Sequence, residues 1–326
     1  MTHPHSTVPN RSPNDNNARA ARQEFTAFVL MTVLLCAAPL VAYPVFVMKA
    51  LCFALFACAF NLLVGYVGLL SFGHAMFLGS AGYVSAHAAK VWGLPPELAI
   101  LAGTASATLL CLGVGLLAIR RQGIYFSMTT LAFSQMVYFL ALELPFTHGE
   151  DGIQAVPRGK FLGFFDLTNE MNLYIFVLAI FLGAFLFIRR IINSPFGEVL
   201  KAIRENERRA ISLGYKVDQY KIMAFVLSAA LAGLAGATKD IVFQLASLTD
   251  VHFAASGEVV LMTLLGGMGT LFGPVVGAFV IVATENYFAE VGDWVSIIQG
   301  VIFVICVLAF RKGVVGVIAE KLGWSL

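Results

Sequence analysis

The sequence predicts an all-α fold: a polytopic transmembrane helical bundle of about eight to ten spans with one cytoplasmic amphipathic helix. Three observations lead there. Of the 326 residues, 59% are apolar and 12% charged, and the mean hydropathy is +0.83, whereas soluble domains run nearer a quarter charged. Apolar runs recur from Phe25 onward, each long enough at roughly 1.5 Å per residue to cross a hydrocarbon core of about 30 Å. The long interruption SPFGEVLKAIRENERRAISLGYKVDQYK, residues 194–221, is polar and basic, and its apolar residues recur at helical spacing.

Residues 1–24 are rich in Pro, Asn and Arg; without an apolar stretch they make neither a packed helix nor a signal-peptide core, and a disordered cytoplasmic tail is expected. The prolines flanking His3 and His5 favour solvation there over metal binding. The membrane domain then occupies 25–326, with spans expected near 25–46, 48–65, 67–89, 97–119, 123–143, 172–190, 221–243 and 294–310. Residues 256–289 read either as two short spans broken at GGMGTLFGP or as one re-entrant hairpin; either way the number of crossings is even. Cys36, Cys52, Cys58, Cys111 and Cys306 all lie in apolar runs without C-x-x-C spacing, which reads as small hydrophobes rather than a zinc site or disulfide framework.

Short loops rich in Lys and Arg stay on the cytoplasmic side. Arg11, Arg19 and Arg22 precede the first span, Arg120 and Arg121 separate the fourth and fifth, and Arg311, Lys312 and Lys321 follow the last. One alternation puts all three groups inside. The loop 191–221 joins them: it and its flanks carry Arg189, Arg190, Lys201, Arg204, Arg208, Arg209, Lys216 and Lys221 against Glu198, Glu205, Glu207 and Asp218. The longest loop on the other side has Glu150, Asp151, Asp166 and Glu170 against Arg158 and Lys160, and faces outward. Both termini are thereby expected in the cytoplasm.

At 100° per residue, Val199, Leu200, Ile203, Ala210, Ile211 and Leu213 gather on one side of a single helix, with Lys201, Arg204, Glu205, Arg208 and Ser212 opposite. Ser194 and Pro195 suit its start, Gly214 its end, and Glu205 pairs with Arg209 at i,i+4. Asn206 and Glu207 fall on the apolar side. A helix lying in lipid headgroups gains nothing from a carboxylate there, whereas a helix docked into a protein groove gives it a partner. A solvated connector hugging the membrane is the competing reading.

GEVLKAIRENERRAISLGYKVDQYKIMAFVLSAALAGLAGA resembles the cytoplasmic loop and following helix of permease subunits of ATP-driven importers, and more narrowly the LivM type of high-affinity branched-chain amino acid ABC permeases. Four further segments match that type in order: GLLSFGHAMFLGSAGY at 68–83, RRQGIYFSMTTLAFSQM at 120–136, THGEDGIQAVP at 147–157 and LLGGMGTLFGPVVGA at 264–278. The importer pattern E-A-A-x-x-x-G has RRAISLG, residues 208–214, as its counterpart: Ala210 and Gly214 match, while Arg208 and Arg209 replace Glu and Ala. The resemblance implies ATPase coupling through Gly197, Lys201, Arg204, Glu205, Asn206, Glu207, Arg209, Ala210 and Gly214. It also implies a bacterial inner-membrane translocation subunit that does no covalent chemistry and binds no cofactor, with ATP and Mg used elsewhere. The implied partners are a second, LivH-like permease, two cytoplasmic ATPase subunits, a periplasmic substrate-binding protein and membrane lipid, with no nucleic acid. The implied cargo is branched-chain amino acids, with urea, short amides and other amino acids as alternatives.

Candidates for the translocation pathway or its gating are Ser71, Gly73, His74, Thr129, Thr130, Gly269 and Gly273. His74 reads either as a packed, hydrogen-bonded histidine or as a substrate ligand, and Thr129 and Thr130 either bond backbone carbonyls or line a path. Ala229, Gly233 and Ala237 share one helix face, and Gly269, Gly273 and Gly277 form a G-x-x-x-G repeat, so close helix approach is expected. Breaks at GLLSFGHA and GGMGTLFGP can leave helix ends at membrane depth for a zwitterion's charges. An ion-coupled secondary transporter or channel is the reading of another class, but it calls for acids inside spans, which are scarce. A membrane enzyme needs convergent ligands, and His74 with His87 is no metal spacing. The phosphate-cradling pattern G-x-x-x-x-G-K-[ST] does not occur.

Overall fold

The structure is a computed structural model that describes residues 13–121, 123–161, 163, 165–288, 297, 300–301, 304–305, 308 and 313–322. Helix α1, Pro13–Val41, begins inside the expected disordered tail, of which only 1–12 lie outside the described residues. Proline fits its first turn, where no intrahelical N–H is needed, and the Ala, Arg and Gln that follow are good helix formers. Its Leu30, Val33, Leu34, Leu40 and Val41 are exposed, a surface for lipid tails. Pro44, again in the first turn, opens α2, Pro44–Val64, so the expected spans 25–46 and 48–65 divide at Tyr43 rather than at residue 47.

Helix α2 is apolar on every side and buried accordingly, with Phe56, Phe60, Leu62 and Leu63 almost inaccessible. It stands at the centre of the bundle and packs on α6, Glu170–Ile192, on α9, Val217–Phe243, and on the pair α10, Phe253–Gly266, and α11, Gly273–Phe288. A second layer sets α9 against α3, His74–Lys90, and α4, Pro96–Ala118. Helix α5, Ile124–Glu143, lies against α3 and α4. Small residues permit this proximity: a Cβ on Gly236 would lie 2.0 Å from the carbonyl oxygen of Leu78, and one on Gly233 would lie 2.6 Å from Cβ of Ala107.

Two expectations are corrected here. The span 67–89 is not continuous: residues 65–73 are non-helical and α3 starts only at His74; Gly68 adopts φ +81°, a left-handed conformation that ends the α2 ladder. The basic loop is not one helix but two, α7, Pro195–Glu205, and α8, Glu207–Ser212. Asn206 separates them in an extended conformation, and its Oδ1 accepts from Arg209 N at 3.0 Å, so the amide caps a new helix rather than continuing the old one.

Among the described residues six helices are long and apolar enough to span a membrane: the Arg22–Val41 part of α1, then α2, α4, α5, α6 and α9. The described part of the expected region 256–289 falls in α10 and α11, of 14 and 16 residues, each shorter than the ~20 of a full crossing. They form a packed hairpin whose turn lies beside Asn61 near the end of α2 and whose open end lies beside Lys49 near its start. The expected span 294–310 lies for the most part outside the described residues, as does Cys306; Cys52, Cys58 and Cys111 are buried and Cys36 is exposed. Helix α12, Gly313–Leu322, packs on α10 and α11.

The end of the bundle away from the basic loop is held by polar links. Strand β1, Ile153–Gln154, pairs with β4, Leu245–Ala246, and β2, Lys160–Phe161, pairs with β3, Phe165–Asp166. Lys90 Nζ donates to Gln154 O at 2.7 Å and Arg158 Nη2 to Val242 O at 2.8 Å. Lys49 pairs with Glu285 at 3.1 Å, and Lys239 with Asp250.

Candidate functional site

The basic loop divides its apolar residues between two tasks. Leu200, Ile203 and Ala210 are buried, with Ile203 and Ala210 packed on Val217 at the start of α9. Ile211, Leu213 and Tyr215 are 56%, 69% and 41% exposed, beside the exposed Arg208, Arg209 and Lys216. The single apolar face expected from periodicity is therefore split by the break at Asn206. Gly197 is required where α7 leaves α6, since a Cβ there would sit 2.2 Å from Ile192 O. Gly214 takes φ +89° and donates its N–H to Ile211 O at 2.9 Å, the expected stop.

Glu207 does not wait for a partner protein. Its Oε1 accepts from Lys221 Nζ at 2.6 Å, and the Lys221 side chain is only 4% exposed against 28% for Glu207. The carboxylate on the apolar side of the loop thus answers a buried ammonium in the first turns of α9, tying α8 to the bundle. Lys201 pairs with Glu198 at 2.8 Å on the exposed surface of α7, and Glu205 is exposed beside it.

Arg204, assigned to the solvated side by periodicity, is exposed there, yet its guanidinium reaches back to the bundle. Its Nη1 donates to Gly65 O at the end of α2. Its Cγ lies 3.3 Å from the position a Cβ on Gly68 would take, and its Nη1 2.9 Å from that of Gly269. Gly269 has φ +77° and belongs to the turn between α10 and α11, so the expected Gly269, Gly273 and Gly277 repeat is not one helix face; only the last two lie in α11. The same two segments are joined by Asn61, whose Oδ1 accepts from Gly269 N and whose Nδ2 donates to Thr270 O, both at 2.9 Å. Arg204 and Asn61 thus bring the glycine breaks at 65–73 and 267–272 together at one end of the bundle. Val64, Leu70, Val260, Leu264 and Met268 line an apolar cavity of about 290 Å³ against them.

Deeper in, the break is closed by hydroxyls. Ser127 Oγ donates to Leu70 O at 2.6 Å, Thr130 Oγ1 accepts from Phe72 N at 3.2 Å, Ser71 Oγ from Gly73 N at 3.2 Å and Ser256 Oγ from Ala75 N at 2.9 Å. These N–H groups at the start of α3 already have acceptors, so in this state they do not present a free helix end to a zwitterion. Gly73 is held against α5, where a Cβ would sit 2.6 Å from Thr130 O. His74 is fully buried, its Nε2 at 2.8 Å from Ser228 Oγ, which donates to Ala59 O at 2.6 Å, and Phe60, Phe77 and Phe225 surround it. Its Nε2 is thus held as in the packed reading, while its buried Nδ1 has no hydrogen-bond partner among the described residues. Thr129 bonds the Tyr125 carbonyl of its own helix at 2.7 Å, apart from the cluster. Gly273 opens α11, with its N–H donated to Thr270 Oγ1 at 3.1 Å.

The periodicity argument missed Asn61, Ser127, Lys221, Ser228 and Ser256. Asn61 had a signal, as a lone amide in FACAFNLLVGYVG that must find partners in an apolar span.

Comparison with known proteins places these segments. The family model described as branched-chain amino acid transport system / permease component matches residues 45–307, which include all five segments noted in the sequence. The chain is 26% identical over 281 residues to the high-affinity branched-chain amino acid transport system permease protein LivM of Escherichia coli, covering 78% of this chain and 65% of that protein. The LivM protein of Salmonella typhimurium is 27% identical over 277 residues with the same shares, so the chain spans about two-thirds of the length of these relatives. The ribose import permease protein RbsC of Bacillus subtilis is 30% identical over 238 residues, 68% of this chain and 70% of that protein. No solved structure matches. With its multi-pass helical bundle and a family match running from α2 past α11, the chain belongs to the branched-chain amino acid transport system permease component family.

Proposed function

We propose that this chain is the inner-membrane translocation subunit of an ATP-driven importer for branched-chain amino acids, with its basic loop in the cytoplasm receiving an ATPase subunit. The observation that carries the reading is the loop itself. Its buried residues already satisfy the bundle, yet it presents Ile211, Leu213 and Tyr215 among Arg208, Arg209 and Lys216, an apolar patch rimmed by cations such as marks a protein contact. ATP and Mg are bound by two cytoplasmic ATPase subunits, a periplasmic protein delivers the cargo, and a second, LivH-like permease completes the membrane pathway. The chain itself shifts between outward and inward states and makes or breaks no covalent bond.

The test is uptake by the complete assembly in proteoliposomes. Labelled leucine, isoleucine and valine are expected to accumulate in an ATP-dependent way and to compete with one another. Because a ribose permease is among the relatives, ribose and urea belong in the same panel; uptake of either, with none of the three amino acids, overturns the substrate.

The charge pattern also fixes an expected orientation. Cysteines placed singly at the exposed Ser212 and Gln154 in a cysteine-free background should label oppositely. An impermeant maleimide added outside reaches position 154 and not 212. Labelling of 212 from outside inverts the topology.

A further inference from the structure

Arg204 makes contacts that a simple docking residue does not need. It starts on α7, runs along Gly68 and ends with its guanidinium at Gly65 O and against Gly269. Gly65 and Gly269 are far apart in sequence, and each lies in or beside a segment whose backbone leaves the helix. The guanidinium donates to the first of these segments and packs beside the second, whose Gly269 N–H and Thr270 carbonyl are bonded by Asn61; its planar fork fits that narrow place better than an ammonium on a flexible stem. Glycine at positions 68 and 269 leaves the side chain room, since a Cβ at either would meet it at 3.3 or 2.9 Å.

The mounting of α7 gives this contact leverage. At its start, Gly197 is wedged against the carbonyls of Ile191 and Ile192, where a Cβ would lie 2.6 and 2.2 Å away, so that end is fixed to α6. Arg204 lies seven residues further on, about 10 Å along the helix axis. A tilt of α7 about its fixed start moves Arg204 more than any residue nearer Gly197. Val64 precedes one glycine break, Leu70 lies in it and Met268 lies in the other, and all three are among the residues lining the apolar cavity.

We propose that Arg204 is a positioning residue that ties α7 to the paired glycine breaks, themselves joined through Asn61, so that displacement of α7 moves them and changes the width of the apolar cavity beside them. This rests on the reading of the chain as an importer permease, and it differs from a contact with the ATPase in what its loss should do. Without this tie, the ATPase still docks on the outward patch and still hydrolyses ATP, but its motion no longer reaches the membrane segments.

The experiment measures ATP hydrolysis and leucine uptake in the same proteoliposomes holding the complete transporter, with both rates expressed per assembled complex. For Arg204→Ala, hydrolysis is expected to stay within about twofold of the wild type while uptake falls about tenfold or more, so the ATP used per leucine rises several-fold. Arg204→Lys keeps one donor group and should recover part of the lost coupling. A second readout avoids transport: with cysteines replacing Val64 and Met268, cross-linking by a bifunctional maleimide should respond to ATP and vanadate when Arg204 is present and lose that response in Arg204→Ala. Parallel loss of hydrolysis, uptake and ATPase co-purification in Arg204→Ala makes Arg204 a docking contact and overturns the proposal. Unchanged coupling, an unchanged cross-linking response, or a lysine variant no better than alanine overturns it too. Failure of the wild-type assembly to take up any substrate in the panel counts instead against the importer reading.

Discussion

Glu207→Arg is expected to lower the amount of folded, membrane-inserted protein, rather than to leave a well-folded chain that cannot couple. Lys221 is nearly inaccessible and has Glu207 as its partner at 2.6 Å. Removing the carboxylate leaves a buried ammonium unpaired, and arginine adds a second cation beside it. Breaking a buried pair from one side costs about 3–5 kcal/mol, a large part of the ~5–15 kcal/mol by which folded proteins are held; the partial exposure of Glu207 puts the expectation at the lower end. Glu207→Gln, which keeps an acceptor, should be milder, and reversal of the pair with Glu207→Lys and Lys221→Glu should restore most of the loss. Lys201→Glu is the control, because its pair with Glu198 is on the surface and such pairs contribute ~0–1 kcal/mol. Membrane abundance and thermal stability in detergent decide. Normal abundance with uptake abolished would return Glu207 to the role expected from periodicity, a carboxylate answered by a partner protein.

What could be read from residue pattern was governed by composition and by charge. The boundaries of α4, α5, α6 and α9 lie within a few residues of expectation, because each is a long apolar run bounded by Pro, Gly or charged residues. The Gly-rich segments were recognised as breaks, but not how much helix they remove: the positive φ of Gly68 closes the end of α2 and α3 begins only at His74, and no periodicity reports a backbone angle. The basic loop misled for a related reason. A helical wheel drawn through Asn206 assumes an unbroken ladder, and once the amide caps α8 the faces before and after it are no longer in phase. Ile211 and Leu213, expected on the buried face, lie beyond that break and are exposed, and Glu207 just after it turns to Lys221. Long-range partners such as Lys221 for Glu207, or Gly65 for Arg204, depend on which helices meet, and single-sequence patterning carries little of that.

Gly277→Ala is expected to dismantle the α10–α11 hairpin. A Cβ at this position would lie 1.8 Å from Met262 O and 2.9 Å from Gly266 N, so the obstacle is the backbone of α10 and no side-chain rotation relieves it. Helix α10 cannot step back freely, because Val259, Met262 and Leu265 on it are buried and it packs on α2 as well as α11. Overpacking a tight core typically costs about 1–3 kcal/mol, and a methyl group driven into backbone belongs at or above the top of that range. Gly183→Ala in α6 is the matched control: nothing lies within 4 Å of its Cβ position, and replacing a helical glycine gains up to ~1 kcal/mol. Fluorescence-detected gel filtration after heating should show Gly277→Ala losing most of its monodisperse peak at temperatures where the wild type and Gly183→Ala persist. Equal stability of the two variants would mean that the hairpin helices do not approach this closely. Because the turn of this hairpin carries Gly269, Gly277→Ala should also displace the turn from Asn61 and Arg204, so any protein that survives should resemble Arg204→Ala in spending ATP without moving leucine.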